Sequence, residues 1–380
     1  MMDRATLGGV IPVSRVGIGG HYRAMEEGVY EERYAYVERE VEVRLPLVRR
    51  AIEAGITYFD TTWRNEVEVL GRTLAALGVR DRVVVNGMVL GAFAGSAHAG
   101  VSIEDYTNRW LDERLARLPG HRFDTFMVNA IEEAYDEQAC ARLVRLLTQR
   151  QAEGAFRLFG FSTHNADHAR AVADRFPEFR TIMLPYNYRN RAFEPAFADY
   201  AGDASFIAMK TLVWAEYGIP FCAPNRLPGA GALLGFEPDP WAAARALRFV
   251  RANPRITVAI AAVNAPDELE ALIAGGEGAF AAADDAVLAR YDACHEVAGG
   301  LPFFISGLYA DNLRQNYFAL SHLARVLGVP LAAVALNEPD SRQRLYAALP
   351  LLAQALEAKG NGSYAKLVRG ADQDASRRTP

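Results

Sequence analysis

Short apolar runs alternate with longer segments of helical period along most of this chain. Leu7-Gly-Gly-Val-Ile-Pro-Val13 places apolar residues around a Gly-Gly turn and predicts a short hairpin. Val16-Gly-Ile-Gly-Gly20 predicts the first strand of a larger sheet. Further strands are expected at 57–60, 82–89, 123–128, 156–162, 181–186, 206–209 and 256–262. Between them, helices are expected at 47–54, 66–77, 103–118, 137–153, 165–175, 193–200, 241–253 and 266–274. Runs such as Val83-Val-Val85 do not alternate with polar residues, as befits strands covered on both faces. Ser102, with Asp105 three residues on, resembles a capping box, and Gly154 ends the helix that begins at Glu137.

Eight strand-then-helix units of this size predict an α/β fold, a (β/α)8 TIM barrel with an N-terminal hairpin. No GxGxxG opens any of the helices, which argues against an open, doubly wound sheet. Residues 21–42 are charged and aromatic and too long for an ordinary connection, so a flap or an interface is expected there. The barrel is expected over 1–280 and a helical C-terminal extension over 281–369, with helices at 317–327 and 341–359. A polar, disordered tail is expected over 370–380.

The chemistry is expected at strand ends. In Ala54-Gly-Ile-Thr-Tyr-Phe-Asp60-Thr-Thr-Trp-Arg-Asn-Glu66-Val-Glu-Val-Leu-Gly71, a buried strand leads at once into Asp60. A new helix follows, with Val67, Leu70, Leu74 and Leu77 on its apolar face. A carboxylate at the carboxyl end of an inner strand is what a barrel active site is built from. A helix-capping role for Asp60 is the simpler alternative.

Composition narrows the field. A net charge of −5 gives no basic excess to hold a phosphate backbone, so nucleic acid is not an expected partner. No apolar run reaches the roughly 18 residues that a membrane helix needs, and no signal peptide is read at the N-terminus. Cys140, Cys222 and Cys294 are too scattered for a disulfide framework or a zinc knuckle, and a reducing cytoplasm is expected. All but three of the 41 basic residues are arginine, a compositional bias that singles out Lys210, the one lysine outside the C-terminal segment.

The phrases at the strand ends resemble the aldo-keto reductases over roughly residues 7–274. They are Ala54-Gly-Ile-Thr-Tyr-Phe-Asp-Thr-Thr62, Leu70-Gly-Arg-Thr-Leu74, Arg80-Asp-Arg-Val-Val-Val85, Leu111–Leu118 followed by Phe123-Asp-Thr-Phe126, Phe159-Gly-Phe-Ser-Thr-His-Asn165, Leu184-Pro-Tyr-Asn187 and Ile207-Ala-Met-Lys210. Phe-Ser-Thr-His and Met-Lys look most like the branch with a C-terminal ferredoxin-like segment. Only Cys294 remains in that segment here, and an iron–sulfur cluster needs several thiolates, so none is expected.

The resemblance implies hydride transfer between a nicotinamide cofactor, NADP or NAD, and the carbonyl of a small-molecule substrate. It also implies a tyrosine acid whose pKa a lysine lowers, an aspartate paired with that lysine, and a substrate-orienting histidine. Of these four, only the aspartate, Asp60, is matched. Arg64-Asn65 stand where the tyrosine is expected, and the interval from Asp60 to Gly71 is about two residues short. Met88 stands for the lysine and Asn129 for the histidine.

Among cofactor positions, Ser162 matches the serine that holds the nicotinamide amide, while Thr163 and Met183 replace an asparagine and a glutamine. Tyr186, Lys210 and Leu212 are further expected cofactor contacts. Asn264 and Glu268 follow the last strand, where helix N–H groups can face a phosphate. Asn264 takes the place of a cation that would grip an adenosine 2′-phosphate.

Several residues could supply the missing acid. His21 and Tyr22 end the first strand, either at the barrel mouth or at the start of a solvated insertion. His164 ends the fifth strand beside Ser162, as a functional group or as a helix N-terminal residue bonded to backbone. Lys210 ends the seventh, as a base or Schiff-base amine or as a cofactor or structural contact. Glu132 and Glu133, with Asp60 and His164, are a weaker metal-site alternative. Trp63, Tyr186 and Trp214 are expected to line the mouth. Three functions stay open: an altered aldo-keto-reductase-like oxidoreductase, a non-redox lyase, isomerase or hydrolase on the same barrel, and a non-catalytic ligand-binding barrel.

Overall fold

The computed structural model describes residues 2–20, 34–129, 136–212, 236–297 and 349–358. β1 (Arg4–Leu7) and β2 (Ile11–Ser14) form an antiparallel hairpin. Its turn is made by Gly8 and Gly9, both at positive φ, where a side chain would be strained. Eight parallel strands then close into a ring. They are β3 (Val16–Gly19), β4 (Tyr58–Asp60), β5 (Val84–Val89), β6 (Thr125–Val128), β7 (Leu158–Ser162), β8 (Thr181–Pro185), β9 (Ser205–Met209) and β10 (Ile256–Ala262). β10 returns to pair with β3 and shuts the barrel. The TIM barrel and its N-terminal hairpin are therefore as the periodicity predicted.

Alternation along each strand fills the barrel. Tyr58, Val84, Met88, Met127, Leu158, Met183, Ile207, Val258 and Ile260 form one interior cluster. Leu7, Ile11 and Val13 of the hairpin belong to the same cluster. The Gly8 N–H donates to Ser205 Oγ at 2.8 Å, and Ser205 starts β9. The hairpin thus plugs the amino-terminal end of the barrel and leaves the carboxyl ends of the strands to the site.

The outer layer is helical: α1 (Tyr34–Glu53), α2 (Arg64–Leu77), α3 (Ala92–Ala99), α4 (Ile103–Leu115), α5 (Glu137–Ala152), α6 (Ala166–Arg175), the single turn α7 (Phe193–Ala196), α8 (Ala242–Ala252) and α9 (Pro266–Gly276). Caps set several starts. Ser102, Asp136 and Asn165 each accept a backbone N–H of the first turn. Glu66 reaches back to the Thr62 and Trp63 N–H groups at 2.7 and 2.9 Å. Between strands and helices runs a ladder of rings from Phe123 through Phe126, Phe156, Phe159 and Phe179 to Phe161.

Two elements differ from expectation. The stretch 21–42 is not all flap: from Tyr34 onward it is α1. The buried stripe of α1 is Val37, Glu40, Arg44, Leu47, Val48 and Ala51, a helical spacing. A Glu–Arg pair occupies two of those places, so hydropathy alone does not show the period. α3 was not anticipated, because Ala92-Phe-Ala-Gly-Ser-Ala-His-Ala99 has no clear polar face.

The expected helix at 317–327 lies outside the described residues. Of 341–359, Leu349–Ala358 is helical and is α11; the remainder also lies outside. α10 (Ala282–Val297) comes before it.

The described residues fall into two compact units. One holds 2–20, 34–129, 136–211 and 247–280, and the other 212, 236–246, 281–297 and 349–358. Within the second, Arg245 bridges Asp239 and Asp284 at 2.6 and 2.7 Å. The Phe236 ring meets Tyr291 edge-on at 5.1 Å, and the Tyr291 hydroxyl accepts the Asp239 N–H. No helix among the described residues is long and apolar enough to cross a membrane.

Candidate active site

Asp60, Asn86 and Thr125 are register partners on three adjacent strands, β4, β5 and β6. Their side chains are buried and meet in a line. Asn86 Nδ2 donates to Asp60 Oδ1 at 2.7 Å, and Thr125 Oγ1 donates to Asn86 Oδ1 at 2.6 Å. The backbone N–H and hydroxyl of Thr61 both donate to the Asn86 carbonyl, which fixes the turn after Asp60. The carboxylate thus meets a neutral amide on β5.

Two residues further along β5, on the same face, stands Met88. Ser162 Oγ donates to its sulfur at 3.9 Å and accepts from Asn129 Nδ2 at 3.1 Å. Met88, Asn129 and Ser162, expected separately, therefore form one cluster at the carboxyl ends of β5, β6 and β7. The Asn129 backbone N–H is held by the Val89 carbonyl at 2.9 Å.

Below them lies Tyr58, two residues before Asp60 and fully buried. Its hydroxyl has no hydrogen-bond partner of good geometry. Burial, and then the Asp60 charge, holds this phenol well above its usual pKa. It therefore stays protonated and is no substitute for the missing tyrosine acid.

His164 follows β7 and is half-buried. Burial first, and the Lys210 ammonium second, push its pKa down from 6.5 to about 4, so its imidazole is neutral at physiological pH. Lys210 follows β9 with φ at +53°, a left-handed backbone that non-glycine residues seldom adopt. The Asn187 side-chain amide donates to the Lys210 carbonyl at 3.0 Å. Asn187 Oδ1 in turn accepts the N–H groups of Arg189 and Asn190. A lysine and a neutral histidine are therefore electrostatic neighbours at this end of the barrel.

Tyr186 is a correction. It does not stand at the mouth. It is 2% exposed, stacks on Phe249 of α8 and meets Phe193 edge-on. Its hydroxyl donates to Glu194 Oε1 at 2.6 Å. The residue after Pro185 falls on the outward side of β8, where helices cover the strand, so this ring is used in packing.

Leu212 follows the turn after Lys210 and is half-buried. Asn264 and Glu268 meet each other: the Asn264 N–H donates to Glu268 Oε2 at 2.6 Å. Arg44 of α1 reaches the same loop, donating to Asn264 Oδ1 at 2.9 Å and to the Val263 carbonyl.

His21, Tyr22, Glu132, Glu133 and Trp214 lie outside the described residues. Among the described residues, no three histidine, cysteine or carboxylate groups gather as a metal site would require. Sequence reasoning missed Asn86 and Thr125. The signal for Asn86 was present, since it is in phase with Val84 and Met88. Arg44 carried no such signal, because its partners lie some 220 residues away in the chain.

The Aldo/keto reductase family model matches residues 30–213, from α1 to just past β9. Over that stretch the chain is similar to the aldo-keto reductases. No curated protein sequence matches the chain. Among solved structures it is similar to an aldo-keto reductase from Klebsiella pneumoniae in complex with NADPH, with a TM-score of 0.55 and 19% identity. That similarity covers 76% of this chain and 95% of the other. The same figures hold for an aldo/keto reductase from Klebsiella pneumoniae with NADP and acetate. The holo form of an aldo-keto reductase from Bacillus halodurans gives 0.53 at 16% identity, over 77% of this chain and 96% of that one. At these identities the likeness is one of fold. Within this barrel, Asp60 ends β4 against Asn86, and Met88, Asn129 and Ser162 meet at the carboxyl ends of β5, β6 and β7.

Proposed function

We propose that this chain is an oxidoreductase that moves hydride between a nicotinamide cofactor and a small carbonyl or alcohol substrate, using acid–base groups unlike the usual set. The observation that carries this reading is the Asn129–Ser162 pair at the barrel's carboxyl face. A hydroxyl beside a primary amide offers a donor and an acceptor together, which is what a nicotinamide carboxamide needs. The bound cofactor would supply the hydride.

The chain's own residues would do the rest. Asn129 donates a hydrogen bond toward the substrate oxygen. His164 is neutral and carries a ring N–H to orient the same oxygen. The Lys210 ammonium stabilises negative charge on that oxygen and is the candidate proton source. Asp60, locked by Asn86, holds the β4–β5 edge and keeps a fixed negative charge behind the site. A cytoplasmic location belongs to the same reading and is supported by the scattered cysteines.

One observation favours a second reading, in which the nucleotide binds without turnover. Met88 and Asn129 carry no titratable proton where the usual relay has a lysine and a histidine. A single experiment separates the two readings: titration with NADH and NADPH, followed by nucleotide fluorescence, beside turnover with a panel of aldehydes. Binding with turnover supports the first reading, and binding alone supports the second. No signal change up to millimolar nucleotide would remove both. Ser162→Ala should weaken binding about tenfold through one lost hydrogen bond of roughly 1–1.5 kcal/mol. An unchanged Kd would take Ser162 out of the site.

A further inference from the structure

The loop after β10 is closed on itself by charged residues. The Asn264 N–H, two residues past the strand, is already taken by the Glu268 carboxylate at 2.6 Å. The Arg44 guanidinium is committed to the Val263 carbonyl and to Asn264 Oδ1. It also lies 3.3 Å from Glu40 Oε2, and both side chains are 4% exposed. Asp267 stands in the first turn of α9 beside Glu268. Among the described residues around this loop, Arg44 is paired with Glu40, and Asp267 and Glu268 open α9.

β10 is the eighth barrel strand in chain order. In (β/α)8 enzymes, phosphate groups commonly seat at the loops after the seventh and eighth strands, against a helix N-terminus. A phosphate monoester dianion needs open N–H donors or a cation facing it. Here the Asn264 N–H is held by an internal acid, and the guanidinium is engaged by the Val263 carbonyl, Asn264 and Glu40. A hydroxyl is treated differently, because a carboxylate has about four acceptor positions and can take a donated hydrogen bond. An acid that accepts from the ribose 2′-hydroxyl is how dinucleotide folds favour NAD over NADP.

We propose that Glu268, with Arg44 neutralised by Glu40 behind Asn264, makes this chain select NAD(H) over NADP(H). Glu268 rejects the adenosine 2′-phosphate and accepts a 2′-hydroxyl. The inference rests on the nicotinamide-cofactor reading above. It sets the chain apart from the Klebsiella pneumoniae proteins, which hold NADPH and NADP on a shared fold.

The test is the ratio of Kd values for NADPH and NADH, measured by fluorescence titration of the full-length protein at low and moderate salt. Wild type should bind NADH at least about tenfold tighter, with the gap narrowing as salt screens the repulsion. Glu268→Gln keeps the shape and an acceptor for the Asn264 N–H. It should shrink the ratio several-fold, mainly by tightening NADPH. Asn264→Arg should shift the ratio in the same direction. Should Asn264→Arg fail to fold by circular dichroism, the near-isosteric Glu268→Gln decides alone. Equal or tighter NADPH binding by wild type, or a ratio that Glu268→Gln leaves unchanged, overturns the proposal while the cofactor reading stands. Binding of neither nucleotide overturns both.

Discussion

Asp60 ends its strand against an amide, and this changes what the carboxylate does. Asn86 stabilises it by hydrogen bonding. Burial first, and then the Asp60 charge, makes the Tyr58 phenol below a weaker acid. His164 has its pKa lowered by the fold, and its effect on stability has a definite sign. In the unfolded chain it takes its proton near pH 6.5, and in the fold only near about 4. Between these values the unfolded state holds more protons, so the stability from His164 is complete above pH 6.5 and lost as pH falls toward 4. The loss should be on the order of 1–2 kcal/mol once partial exposure is allowed for. Urea unfolding of wild type and His164→Gln at about pH 7 and about pH 5 checks it. The variant should lose less stability on acidification, and parallel losses would mean that His164 is not the group responsible.

At the scale of elements, strand alternation explains both what was legible and what was not. Asp60, Ser162 and Lys210 sit at strand ends, so apolar runs were enough to find them. Tyr186 also follows a strand, but one residue out of phase with the interior, and the side of β8 it takes follows from the helices packed there. The interior is tight wherever neighbouring strands approach without side chains between them. A Cβ on Gly160 of β7 would lie inside the van der Waals envelope of the Thr181 carbonyl on β8. Gly160→Ala must therefore force β7 and β8 away from each other. It should cost about 3 kcal/mol or more, lowering Tm by roughly 4 °C or more. A melting curve that matches wild type would mean that β7 and β8 can separate there without penalty.

The barrel unit is stoppered at its amino-terminal end and carries its polar groups toward the other. Leu7, Ile11 and Val13 fill the amino-terminal end with the same apolar cluster that runs through the strands. The polar groups Asp60, Asn86, Asn129 and Ser162 lie toward the carboxyl end. This separation predicts separable effects. Leu7→Ala should lower unfolding free energy by roughly 2–5 kcal/mol through lost burial and a residual cavity. It should leave nucleotide affinity unchanged, since the hairpin closes the amino-terminal end of the barrel and Asn129 and Ser162 stand at the carboxyl ends of the strands. Denaturant unfolding and the fluorescence titration together check this. A large loss of affinity without loss of stability would contradict the assignment of the hairpin to the core.

Period and composition by themselves determined the eight strand–helix units, the hairpin and the acid at the end of β4. Those depend on local spacing of apolar residues, which a strand or helix imposes wherever it sits. The resemblance to the aldo-keto reductases added the expectation that Met88, Asn129 and Asn264 stand where that family has other groups. Only the tertiary structure decided which partners these positions meet. It set Asn86 against Asp60, Asn129 against Ser162 and Arg44 against the loop after β10. It also turned Tyr186 into the helix layer and brought the Lys210 charge to His164. Each of those pairings joins positions far apart in the chain, and closing the barrel, rather than any local pattern, brings them within reach.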